Sequence, residues 1–251
     1  MTESQPCRVL VTGGASGIGA AIAQRFMDDG NQVGILDHDD KALERLVRGA
    51  RPPDLLLLAD VTDVTAVEQA FSRIDDEWNG LDVLCNNAGI SSRSAFLETT
   101  LASWERTLAV NLTGAFIVAQ QAARRMVASS GGVIINTASV SGMVGMPNYA
   151  AYNASKAGMI ELTKTMALEL APAVRVNAVC PGYILTPMQE AEYTESMLAD
   201  CAASIPMGRL GTPREIAAMV SYLASDAAAF ITGQSFAIDG GETAGGLASA
   251  L

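Results

Sequence analysis

The sequence predicts an α/β fold: a doubly wound sheet of about seven parallel strands with helices on both faces, forming one domain over residues 1–251. Two observations carry this. Seven short runs rich in Val, Ile and Leu alternate with longer stretches of helical period, as repeated strand–helix–strand units require. The runs also lack the in/out alternation of a half-solvated strand, so helices are expected over both their faces.

The strand candidates, in order, are Cys7–Thr12, Gln32–Asp37, Asp54–Ala59, Leu81–Asn86, Gly132–Ala138, Val174–Cys180 and Ser235–Asp239. Between them, Ile18, Ile22 and Phe26 share one helical face, as do Val67, Phe71 and Ile74. Ile160, Thr163 and Ala167 form a third face, flanked by Leu162 and Met166. Thr212-Pro213-Arg214-Glu215 marks a helix start, with a hydroxyl at the cap, proline at the first helical position and a carboxylate three residues after the threonine. The Gly/Ala/Ser-rich tail Thr243–Leu251 either frays or packs into a subunit contact.

Apolar residues make up 49% of the chain and charged ones 17%, which excludes disorder over most of its length. Sixteen basic against 27 acidic residues leave a net charge of −11, so no broad attraction for nucleic acid or an anionic membrane is expected. A single histidine, His38, and four widely separated cysteines predict no metal site and no disulfide framework. Met1–Pro6 carries no basic leader and no stretch reaches the length of a membrane span, so a cytoplasmic protein is expected.

The first strand runs into Thr12-Gly13-Gly14-Ala15-Ser16-Gly17-Ile18-Gly19. Glycines there permit a tight turn and let backbone amides approach a pyrophosphate, which the following helix meets with its positive end. Such a turn after strand one and before an apolar helix points to a dinucleotide and to the Rossmann-type arrangement. Asp37 closes the second strand 18 residues beyond Gly19. A carboxylate there accepts both hydroxyls of an adenosine ribose and repels a 2′-phosphate, so NAD is expected over NADP. The competing reading makes Asp37 a cap for the next helix. Asp60 and Val61 follow the third strand, beside the place expected for adenine. Asn86-Asn87-Ala88-Gly89 follows the fourth, either as the cofactor floor or as a polar turn joining strand ends.

Tyr152-Asn153-Ala154-Ser155-Lys156 opens a long helical segment, and the spacing of four puts Tyr152 and Lys156 on one face. A phenol titrates near pH 10, and bringing it down roughly three units takes about 4 kcal/mol of differential stabilisation. A nearby ammonium and a cationic nicotinamide ring are expected to supply it. Ser139, thirteen residues earlier at a strand end, is placed to donate to the same substrate oxygen.

Together these motifs resemble the classical short-chain dehydrogenase/reductases, from about Arg8 to Gly241. Thr12–Gly19 stands for the glycine turn, Asn86–Gly89 for the Asn-Asn-Ala-Gly motif, and Ser139 with Tyr152 and Lys156 for the catalytic set. Pro181-Gly182, Thr186 and Asp239-Gly240-Gly241 complete the pattern, while the wider Tyr/Lys spacing of enoyl reductases is absent. The resemblance implies that Tyr152 is the acid/base, that Lys156 binds the nicotinamide ribose and lowers the Tyr152 pKa, and that Ser139 orients the carbonyl. It makes Asn111, otherwise a polar interruption of a helix, the holder of a water in a proton relay. Thr186, with backbone near Ile184, would hydrogen-bond the nicotinamide carboxamide. It further implies hydride transfer on the pro-S face, and a homotetramer pairing the helices around Leu101–Met126 and Tyr152–Leu170.

The substrate is expected among Ser91, Arg93, Ser139, the stretch from Ser141 to Met146, Asn148, Tyr149, Tyr152 and Met188 onwards, with residues 187–206 as an amphipathic lid carrying Met188, Tyr193, Met197 and Leu198. Met143, Met146 and Met188 make either an adaptable pocket wall or ordinary core. The expected reaction interconverts a secondary alcohol and a ketone with NAD, on a small or medium, partly apolar molecule, cyclic or polyol-like. One alternative is a 3-oxoacyl-[acyl-carrier-protein] reductase using NADPH, with Arg124-Arg125 as a docking patch for the carrier. The other is a non-catalytic nucleotide-binding protein.

Overall fold

The computed structural model describes residues 6–245. The reading of the N-terminal leader and most of the tail therefore lie outside the described residues. All seven strands form one parallel sheet: β1 (Arg8–Thr12), β2 (Gln32–Asp37), β3 (Leu55–Leu58), β4 (Val83–Asn86), β5 (Gly132–Thr137), β6 (Val174–Pro181) and β7 (Ser235–Ile238). Their order across the sheet is β3-β2-β1-β4-β5-β6-β7. Each lies within a sequence-predicted run or within one residue of it.

Alternate residues of β1 show why the runs are continuously apolar. Leu10 packs into one layer with Phe71, Ile74, Val118 and Met126. Val9 and Val11 pack into the other with Ile22, Phe26, Ile216 and Val220. The first layer is covered by α3 (Val64–Trp78), α5 (Ala115–Ala128) and α6 (Ala150–Leu170), the second by α1 (Gly17–Asp28) and α9 (Pro213–Ala224). Three shorter helices need naming for the site: α4 (Leu101–Leu108), α7 (Pro187–Glu192) and α8 (Glu195–Ser204).

The predicted start of α9 holds. The Thr212 amide donates to Glu215 Oε2 at 2.8 Å. The Arg209 guanidinium and the Thr212 donors hold the Glu215 carboxyl down at about 2. Arg8 forks onto Asp82, with Nε to Oδ2 at 2.8 Å and Nη2 to Oδ1 at 2.6 Å, which ties the base of β1 to the approach of β4. Among the described residues no helix is long and apolar enough to cross a membrane.

One feature had no signature in the sequence. Between α4 and α5 the chain widens into a π-helical segment, Ala109–Gly114, with Asn111 fully buried inside it.

Candidate active site

Strand order reverses between β1 and β4, and a cleft opens there at the carboxyl ends of the strands. Thr12 sets its floor. Its Oγ1 accepts the amides of Asn87 at 2.9 Å and Ala88 at 3.0 Å, stitching the two diverging strand ends together. The cleft runs from Asp37 and His38 past the glycine turn to Ser139, Tyr152 and Lys156, and ends among Met146, Tyr149 and Tyr193.

Gly13 (φ 62°) and Gly17 (φ 53°) take left-handed backbone, which gives the turn its shape. Gly19 does not line the cleft. A Cβ there would fall 2.1 Å from the Gly13 carbonyl oxygen, so its part is to let α1 lean on the turn. Ser16 makes no capping bond from its side chain, leaving the first amides of α1 open to an anion. Asp37 is buried, and its carboxylate accepts the Ala15 amide and the Asp39 amide, each at 3.1 Å. The helix that follows, α2 (Asp40–Val47), is capped by Asp39 through the Ala42 amide, which removes the reading of Asp37 as that cap.

Asp60 and Val61 also line the cleft. Burial works against the Asp60 charge, but hydrogen bonds from Thr62 and the Arg106 guanidinium hold its carboxyl below the usual range. Asn87, Ala88 and Gly89 lie opposite, with Pro181, Gly182, Ile184 and Thr186 at the far strand end. Thr186 caps α7, accepting the Gln189 amide at 3.3 Å. Asn86 lies deeper, donating to the Ala115 carbonyl at 2.9 Å and to Asn136 Oδ1 at 3.2 Å. Asn136 in turn donates to Thr163 Oγ1 at 2.9 Å. The sequence alternatives for Asn86–Gly89 therefore divide by residue: Asn86 holds structure, and the next three face the cleft.

The first two turns of α6 carry Tyr152 and Lys156 into the cleft together, with Lys156 Nζ 5.6 Å from the Tyr152 ring centroid. Lys156 is buried and donates to the Thr137 carbonyl at 2.8 Å. Burial brings its ammonium down to about 8. Ser139, two residues beyond β5, has extended backbone and accepts the Ser141 amide at 3.1 Å.

The protein groups around Tyr152 raise its pKa. Burial pushes the phenol up to about 12, Ser139 pulls it down by hydrogen bonding, and Glu192 and Tyr193 push it further up. Asn111 lies behind the cleft wall. Its Oδ1 accepts the Ile90 amide at 2.8 Å, and its Nδ2 donates to the Ile90 carbonyl at 2.9 Å and Ser155 Oγ at 3.1 Å. Those bonds fix the π segment against α6, with Asn111 Oδ1 and Lys156 Nζ both beside Gly89.

Of the expected substrate residues, Ser91, Ser139, Ser141, Met146, Tyr149, Tyr152 and Met188 line the cleft, whereas Arg93 and Asn148 do not. Asn148 serves the backbone instead. It sits at φ 70° and its carbonyl accepts the Ser94 amide at 2.8 Å. Met143 does not line the cleft, so only Met146 and Met188 of the three methionines form wall. Gln189, Glu192 and Tyr183 also line this end and were not singled out. Gln189 and Glu192, three apart on the segment after Thr186, carry a signal hidden inside the amphipathic pattern of the lid, whereas Tyr183 precedes that segment.

The family model described as enoyl-(acyl carrier protein) reductase matches residues 13–243. The chain belongs to the classical short-chain dehydrogenase/reductase family. It is 42% identical over 239 residues to cis-4-hydroxycyclohexanecarboxylate dehydrogenase of Sinomonas cyclohexanicum, covering 94% of this chain and 96% of that one. It is also 42% identical over 236 residues to the 3-oxoacyl-[acyl-carrier-protein] reductase MabA of Mycobacterium bovis, covering 93% and 91%. Among solved structures, a short-chain type dehydrogenase/reductase from Mycobacterium marinum superposes with a TM-score of 0.90 at 38% identity, over 96% of this chain and 97% of that one. The protein is thus an oxidoreductase of alcohol/ketone-type substrates whose family uses nicotinamide cofactors.

Proposed function

We propose that the chain is an NAD-dependent dehydrogenase interconverting a secondary alcohol and a ketone, with Tyr152 as its acid/base. One observation carries the reading: Ser139, Tyr152 and Lys156 share a cleft whose other end is closed by the buried carboxylate of Asp37. The residues fit a dinucleotide, because the left-handed turn at Gly13 and Gly17 and the uncapped start of α1 form a cradle for an anion between these two ends.

Asp37 would accept the hydroxyls of the adenosine ribose and repel a 2′-phosphate. The turn residues Gly13, Ser16, Gly17 and Ile18 would hold the pyrophosphate. Asp60, Val61 and the Asn87–Gly89 wall would flank the rest of the dinucleotide, as would Pro181, Gly182, Ile184 and Thr186. The nicotinamide, when bound, supplies the hydride acceptor or donor. Ser139 Oγ donates to the substrate oxygen and fixes its place. Tyr152, protonated in the free chain, gives its proton to a ketone oxygen. In the oxidative direction it takes the alcohol proton, which needs positive charge beside the phenol, and Lys156 contributes that charge below about pH 8. Residues 187–206, helices α7 and α8, would close over the substrate and exclude water.

A homotetramer is part of the same reading. Leu101 on α4, Phe116 on α5 and Leu168 on α6 are 70%, 45% and 84% exposed, apolar surface on the helices expected to pair between subunits. Sedimentation of the purified chain at a tetramer mass is the expected result. Free cysteines at Cys7, Cys85, Cys180 and Cys201 accord with a reducing, cytoplasmic setting.

The resemblance to MabA keeps a second reading, reduction of a 3-oxoacyl thioester with NADPH. Against it, Arg125 of the expected docking patch is already forked onto Asp75, at 2.8 and 2.7 Å. Rates of NAD⁺ and NADP⁺ reduction with secondary alcohols, beside NADPH oxidation by a 3-oxoacyl thioester, decide between them. A thioester rate exceeding every alcohol rate would remove the first reading.

A further inference from the structure

The end of the cleft beyond Tyr152 is walled by a small hydrogen-bonded cluster. Tyr149, 8% exposed, sits at the N-terminus of α6 with its ring 6.1 Å from that of Tyr152. Its hydroxyl donates to Glu192 Oε2 at 3.2 Å and lies 2.9 Å from the Tyr193 hydroxyl. Proton counting fixes the directions. A carboxylate only accepts, so the single Tyr149 proton goes to Glu192, and the Tyr193 proton goes to Tyr149. Both donors are then spent. What the cluster still offers is lone pairs, on Glu192 and on the Tyr193 oxygen. Beside them Gln189 Oε1 is buried and accepts no hydrogen bond from any described residue.

Among the described residues no lysine or arginine lines the cleft at this wall. Arg93 has its guanidinium 5.7 Å from the Tyr193 ring centroid and does not line the cleft. Arg106 lines the cleft but stands on Asp60 at 3.4 Å, on the nucleotide side. Of the other hydroxyls here, Ser141 is directed at Met146 Sδ at 3.3 Å, and Tyr183, whose ring lies 6.1 Å from that of Tyr193, is directed at the same sulfur at 4.0 Å.

We infer that the substrate carries a second neutral hydrogen-bond donor, a hydroxyl remote from the reacting carbon, recognised by Glu192, Gln189 and the Tyr149–Tyr193 pair, and that this wall rejects substrates bearing a carboxylate there. Glu192 is the specificity-determining residue. The inference rests on the alcohol-dehydrogenase reading, and it separates this chain from the relative named for a hydroxycyclohexanecarboxylate. A hydroxyl brought to Glu192 gains a charge-assisted hydrogen bond, whereas a carboxylate brings repulsion and leaves the buried Gln189 Oε1 unpaired.

The test compares two probes on one ring, cis-1,4-cyclohexanediol and cis-4-hydroxycyclohexanecarboxylate, with the full chain and NAD⁺. The expected kcat/KM favours the diol by about tenfold or more, the effect of one charge-assisted hydrogen bond. Glu192→Gln is expected to raise KM for the diol and lower it for the carboxylate, so that the ratio collapses. A wild-type preference for the carboxylate, or a ratio unmoved by Glu192→Gln, overturns the inference. Binding of both probes to the chain with NADH, followed by cofactor fluorescence, reads the same preference without turnover. A diol preference in binding with no oxidation would sustain this assignment while removing the dehydrogenase reading. Equal or undetectable binding of both probes overturns it.

Discussion

At the end of the cleft proposed for adenosine, the turn and the strand-end carboxylate are set by backbone. Gly13 and Gly17 lie in left-handed conformations, Asp37 ends a strand and accepts two amides, and Thr12 binds two more. At the substrate end the polar groups are tips of long side chains, Glu192, Gln189, Tyr149 and Tyr193, carried on one short helix, its flank and the start of α6. The first end is specified by where strands stop. The second is specified by which side chains happen to meet. A motif can report the former, because strand ends fall at fixed places in a parallel sheet. It cannot report the latter.

The sharpest way to break this contrast is at the junction of the two ends. Tyr152→Phe is expected to lower kcat by roughly 10³-fold while dinucleotide binding, followed by NADH fluorescence, is retained. A variant turning over at the original rate would remove the phenol from the chemistry. At the adenosine end, Asp37→Ser is expected to shift the NAD⁺/NADP⁺ preference in kcat/KM towards NADP⁺ by roughly tenfold to a hundredfold. Unchanged selectivity there would mean that the strand-end carboxylate does not read the ribose.

Lys156 tests the floor between the two. Its folded pKa, about 8, lies below the 10.5 of a lysine in the unfolded chain. Between those pH values the unfolded chain holds more protons on this lysine, so its contribution to stability rises with pH. Wild type is therefore expected to gain in Tm relative to Lys156→Met, by several degrees, as pH goes from 8 to 10.5. Taking the difference cancels the other titrating groups, and a flat difference would show that burial does not disfavour the ammonium. The smallest effect belongs to the substrate end. Tyr149→Phe removes the donor to Glu192 and is expected to raise KM for alcohols severalfold, with kcat little changed, in initial-rate measurements. A large loss of kcat instead would mean that the Tyr149 hydroxyl also orders Tyr152.

The same division explains what was legible beforehand. All seven strands, the capped start of α9, Asp37 and the Ser139–Tyr152–Lys156 set could be read, because each is signalled by local chemistry at a fixed offset. The π segment around Asn111 could not, since it arises where Asn111 reaches across to Ile90 and Ser155. Nor could the chain of bonds from Asn86 through Asn136 to Thr163, which joins residues far apart in sequence. Arg93 and Asn148 lay in plausible segments yet do not line the cleft, and Glu192 escaped notice because a carboxylate on a half-exposed helix ordinarily faces water.

The Thr12 hydroxyl has a consequence beyond local hydrogen bonding. By fastening the two strand ends that part company at the crevice, it gives the mouth a fixed gauge, whatever enters it. The far rim has no such fastening and is assembled from a handful of replaceable tips. A lineage built on this frame can therefore exchange its diet by editing the rim, a few positions at a time, while the machinery beneath keeps its spacing.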